Sequence, residues 1–99
     1  MIGTLLAAFL AVGPPPPVLI DARREGDSCK ISVDGRRFAY PVDERRLLAD
    51  FQRYRLLGRS ALFRLQPDTP YRCIGAIIYL AQRAQLDLST GFVGIERDR

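Results

Sequence analysis

Residues 67–84, PDTPYRCIGAIIYLAQRA, carry the sharpest helix start in the chain, and with it the tightest constraint on the fold. Thr69 stands where a side-chain oxygen accepts a bond from a free first-turn amide. Pro70 stands at the first helical position, where a missing N–H costs nothing. From there Ile74, Ile77, Ile78 and Ala81 recur at the spacing of one helical face, flanked by Cys73, Leu80 and Ala84. Such a face must be buried. The opposite side carries Arg72, Ala76, Tyr79 and Arg83, so the helix is expected to turn an arginine-tyrosine-arginine stripe outward. Arg72, Tyr79 and Arg83 are the candidate partner contacts, and a solvated helix face is the competing explanation of the same stripe.

Ninety-nine residues allow one small domain, and 47% hydrophobic content supplies a modest core. Fourteen arginines against one lysine produce most of the formal charge of +4, which suits an anionic partner. The charge is dispersed, however. Arginine pairs at 23 and 24, 36 and 37, and 45 and 46 alternate with Asp21, Glu25, Asp34, Asp43 and Glu44, as on a solvated surface. The chain has no histidine, which removes the commonest general base and zinc ligand. Two cysteines alone make no zinc site, and the eight glycines never fall at dinucleotide or P-loop spacing. No enzyme, cofactor or metal centre is expected.

The chain divides into three parts. Residues 1–13 are an apolar leader or truncated membrane anchor, with no charged side chain before Asp21. As a helix, residues 2–12 would reach about 17 Å. Bilayer hydrocarbon is about 30 Å thick, so the run does not span as written. It also lacks the basic start of an export signal, and its small-x-small site at Ala11 and Gly13 runs into Pro14. Residues 14–17 are four prolines, a stiff spacer without amide donors. The folded domain is expected over 18–96.

Within it, Val18, Ile20 and Ala22 alternate as a first strand, followed by a polar turn over 23–27. Cys29, Ile31 and Val33 form a second strand, and Asp34-Gly35 is a strong turn signal returning the chain as a short ribbon over 36–40. Asp43 is placed to cap a helix reaching about Leu57, with Leu47, Leu48, Phe51 and Tyr54 inward and Gly58 ending it. A buried strand over 60–65 leads into the main helix. Gln85 occupies the position where glycine would close that helix most simply. A last strand is expected over 91–95, after a turn at 87–90. The order β-β-α-β-α-β describes an α+β two-layer sandwich, a small mixed sheet with two helices on one face.

This order, with Val33-Asp34-Gly35, Leu47-Leu48, Asp68-Thr69-Pro70-Tyr71, Gln82-Arg83-Ala84 and Gly91-Phe92-Val93 at their spacings, resembles the extracytoplasmic domain of the ExbD/TolR biopolymer transport family over residues 18–95. The resemblance implies a non-enzymatic, periplasmic or cell-envelope domain, an accessory of a transport or proton-motive-force-linked assembly. Its implied partners are an ExbB/TolQ-type membrane motor or another envelope protein, peptidoglycan, and a second copy in a homodimer. Family members carry an aspartate within a full transmembrane helix. Here the apolar run is short and holds no carboxylate, and Asp21 lies beyond the prolines, so the proton-coupling role does not carry over.

Cys29 shares the parity of Ile31 and Val33, and Cys73 flanks the Ile74/Ile77 stripe, so both are expected in the core. For an exported domain this small an even cysteine count reads as a disulfide, Cys29 to Cys73. Two buried free thiols are the alternative. The competing function is a small basic cytoplasmic α+β module binding nucleic acid. Only the charge supports it, since the sheet shows no aromatic stacking positions and the chain no GxxG clamp.

Overall fold

In the computed structural model, residues 13–92 are described, and the apolar run over 2–12 and the segment 93–95 assigned to the last strand lie outside them. Seven elements follow one another: β1 (Val18–Glu25), β2 (Ser28–Val33), β3 (Arg36–Tyr40), α1 (Glu44–Leu56), β4 (Ala61–Leu65), α2 (Tyr71–Ala84) and β5 (Leu88–Phe92). The five strands form one sheet in the order β3-β2-β1-β4-β5. β1 pairs antiparallel with β2 and parallel with β4, so the sheet is mixed. The first four strands each bury one parity of their side chains: Val18 and Ile20, Cys29, Ile31 and Val33, Phe38, then Ala61, Phe63 and Leu65. The other parity, including Leu19, Asp21, Ser32, Leu62 and Arg64, is only half-covered. Both helices therefore lie on one face, and the α+β two-layer arrangement expected from the pattern is the one found.

The turns explain the hairpins. Asp34 and Gly35 both take positive φ, 50° and 85°, the pattern of a tight turn whose twist matches its strands. The polar segment 23–27 shrinks to Gly26 and Asp27, because β1 stays paired with β2 through Glu25 and Ser28. The short ribbon is a full edge strand, paired from Val33 with Arg36 to Cys29 with Tyr40. β5 begins earlier than its apolar residues suggest. Backbone pairing with β4 starts at Ala61 and Leu88, so Leu88, Ser89 and Thr90 are strand rather than turn.

Both helix starts depart from the expected caps. Asp43 holds the position before α1 but makes no capping bond; its Oδ2 accepts from the Ala39 amide at 2.8 Å. Thr69 faces backward too. Its Oγ1 accepts from the Gln66 amide at 2.8 Å, which leaves Pro70 as the extended residue before α2. The helix ends follow glycine-cap chemistry. After α1, Gly58 is left-handed, and the Arg59 amide donates to the Tyr54 carbonyl at 3.0 Å. After α2, Gln85 takes the same left-handed place at φ 58°, and the Leu86 amide donates to the Ala81 carbonyl at 2.9 Å.

The core joins both layers: Phe38, Phe51, Phe63, Ile20, Ile31, Leu47, Ile77 and Leu80 are its largest fully buried side chains. Cys29 and Cys73 are bonded to each other, with 5.8 Å between their Cα atoms, so β2 is tied covalently to the first turn of α2. This bond sits at the N-terminal end of the buried face of α2, which holds Cys73, Ala76, Ile77, Leu80, Ala81 and Ala84. Ile74 and Ile78 are half-covered at its border. The face is thus rotated from the expected one. α2 packs on α1 as well as on the sheet, so more than one side of the helix is covered.

Candidate functional site

The three stripe residues that sequence reasoning singled out, Arg72, Tyr79 and Arg83, are all exposed on α2, and Ala76 drops out of the stripe into the core. Arg83 lies over the Tyr79 ring, its guanidinium carbon 5.8 Å from the centroid, which keeps the tyrosine half-exposed and the cation presented to solvent. Arg83 also lines a cleft of about 680 Å3 together with Pro41, Val42, Glu44, Arg45 and Leu48. One wall therefore comes from α2, the other from the first turns of α1 and the loop before it. Arg72 is not among the lining residues.

The loop is held firmly. Asp43 receives the Ala39 amide on one carboxylate oxygen and the Arg46 guanidinium on the other at 3.0 Å, while its own amide donates to the Ala39 carbonyl at 2.6 Å. The Ala39 amide foremost, with help from Arg46 against an opposing burial cost, holds the Asp43 carboxyl below its ordinary range. Burial, reinforced by Glu44 and Tyr79, pushes the Tyr40 phenol up. With both sides of the junction fixed, Val42 is left 82% exposed between Pro41 and Asp43. Sequence reasoning passed over this residue. Its only signal was an apolar side chain belonging to no periodic element.

A second concavity, of about 450 Å3, lies on the uncovered sheet face among Asp21, Arg23, Lys30, Ser32, Arg37, Gln66 and Asp68. Its charges are paired only in part, since Arg23 and Arg37 make no ion pair among the described residues. Arg64 grips Asp21 through two bonds of 3.1 and 2.6 Å, and Lys30 pairs with Glu25 at 2.8 Å. Lys30 foremost, then Arg23 and Arg37, lower the Glu25 carboxyl against an opposing burial cost. Arg23 stands directly across from Lys30, so two like charges face each other, and Glu25 feels both. No aromatic side chain lines this concavity.

Among the described residues no cluster of three or more metal-ligating acids, cysteines or histidines is present, and none of their helices is long and apolar enough to cross a membrane. Both cysteines are in the disulfide, so neither is an available thiol. The arrangement offers surfaces for recognition: a cleft lined by Arg45, Arg83, Glu44 and three apolar side chains on the helical side, and a polar, partly ion-paired groove on the sheet side. The chain matches no protein-family model and no curated protein sequence.

Proposed function

We propose that this chain is a non-enzymatic, envelope-located ExbD/TolR-like domain, an accessory of a biopolymer transport or proton-motive-force-linked assembly that acts by binding protein or cell wall. The observation that carries the reading is the Cys29–Cys73 bond inside an α+β sandwich of this element order. Disulfides persist in oxidising compartments, and a bond across 44 residues fits a secreted or periplasmic domain better than a cytosolic one. Further support comes from the spacer of prolines between the apolar run and β1, which would hold such a domain off a membrane surface.

The test is an intact mass of the protein isolated from its own cells without reductant and with free thiols alkylated, followed by membrane co-purification. A linked pair in the envelope fraction, together with recovery of an ExbB/TolQ-type motor protein, supports the reading. Two alkylated thiols in a cytosolic protein would end it. In that event the nucleic-acid reading gains from the opposed Arg23 and Lys30, and it expects RNA or DNA affinity that falls steeply as salt rises.

A further inference from the structure

The two concavities differ in their apolar content and in their acids. On the sheet face Ala22 is the one apolar lining residue, Asp21 and Asp68 supply two acids, Lys30 is paired with Glu25, and Arg23 and Arg37 have no carboxylate partner among the described residues. On the helical face, Arg45, Arg72 and Arg83 have no carboxylate partner among the described residues, and Glu44 is the only acid in the cleft lining. Its apolar lining residues are Pro41 and Val42, both exposed, and half-buried Leu48. Accessible apolar side chains beside unpaired guanidinium groups are complementary to a segment that alternates large apolar anchors with carboxylates.

One glycine extends the same surface. Gly75 lies in the middle of the exposed side of α2, where glycine costs about 1 kcal/mol relative to alanine. Nothing inside the domain asks for it, since a Cβ built there meets no atom within 4 Å. Its neighbours one turn away are Tyr71, 90% exposed, and Tyr79, 49% exposed. A smooth point between two tyrosines lets another backbone approach closely, and aromatic and arginine side chains are those most enriched at protein interfaces.

We infer that the cleft between α1 and α2 is the docking site for an acidic, apolar-anchored peptide segment of a partner protein. The anchor enters between Val42 and Leu48, the carboxylates meet Arg45 and Arg83, and the segment continues over Gly75 toward Arg72. This rests on the reading of the domain as a protein-binding module and adds the partner's chemistry and the place it binds.

The probe is a library of random twelve-residue peptides selected on the immobilised, oxidised full chain. Enrichment of sequences combining Asp or Glu with Leu, Ile, Phe or Val is expected. The selected peptides should lose at least about tenfold in affinity on the Arg45→Glu/Arg83→Glu double variant and on Val42→Asp. They should bind Arg23→Glu/Arg37→Glu, altered on the sheet face, within about twofold of the unaltered chain. Unchanged thermal unfolding of each variant shows that the fold is intact; if Val42→Asp unfolds, the arginine pair alone decides. Enrichment without acids, no enrichment, or equal loss on the sheet-face variant overturns the inference. None of these results depends on the compartment or thiol state of the native protein, which test the parent reading separately.

Discussion

Asp50 is the one buried charged residue of the domain's described part, 4% exposed on α1, and it is answered from two sides by Arg36 of β3 at 2.8 Å and Arg53 at 3.0 Å. Removing one member of a fully buried pair costs about 3–5 kcal/mol, because a charge is left stranded. Here both arginines are about half-exposed, 51% each, and return to water when the acid goes. Asp50→Ala should therefore cost only about 1–3 kcal/mol in urea unfolding, through the lost Arg53 hydrogen bond within α1 and the lost ion pair that ties Arg36 of β3 to α1. Gln85 works in the opposite direction. A side chain at φ 58° is held in a region where glycine is free of strain, so Gln85→Gly should gain about 0.5–1 kcal/mol by the same measurement. Asp43 supplies a pH signature. Its folded carboxyl lies below the unfolded value, so its contribution is complete at neutral pH and disappears as the pH falls through the lowered folded value. The Ala39 amide resonance should move with an acid midpoint below that of an ordinary aspartate, and Asp43→Asn should abolish the movement.

Between elements, the disulfide is the strongest single constraint. In the chain-entropy account a bond closing a 44-residue loop stabilises by at most about 4 kcal/mol, so Cys29→Ala/Cys73→Ala should lower the urea midpoint while leaving the sheet order unchanged. That bond was legible in the sequence because strand parity turned Cys29 inward and helical spacing placed Cys73 beside the buried stripe. The Asp34-Gly35 hairpin and the Gly58 helix end were legible for a similar reason: each depends on a local backbone preference that neighbours do not override. Thr69 and Asp43 were legible as cap residues only in type. Each found a competing backbone amide upstream, from Gln66 and Ala39, that chain folding brought within reach. Ala76 and the start of β5 depend on contacts between elements, the packing of α1 on α2 and the pairing of β5 with β4, which periodicity within one element does not contain. The cleft was half legible. Arg83 came from helical spacing, but Val42, Arg45 and Leu48 meet it only once the helices are side by side.

At the scale of the whole molecule, the proline stem is fastened to the body rather than dangling from it. Arg59 donates from Nε to the Pro16 carbonyl at 3.1 Å and from Nη2 to Asp34 at 3.1 Å, and its guanidinium carbon lies 5.4 Å from the centre of the Tyr54 ring. The chain thus enters β1, the middle strand of five, at one end of the sheet, while β5 runs parallel to β4 and ends at the opposite edge level with Leu65. Tension applied between Gly13 and Phe92 would accordingly run along the strands. The β1–β4 and β4–β5 ladders would then be loaded in shear, all rungs at once, instead of being unzipped one by one. In a single-molecule stretching experiment the domain should yield in one abrupt event. The oxidised chain should also lengthen by about 150 Å less than the reduced one, because the 44 residues between Cys29 and Cys73 stay closed at about 3.3–3.6 Å each. The covalent tie between β2 and α2 would then act as a mechanical stop, limiting how far a pulled molecule can extend before it refolds.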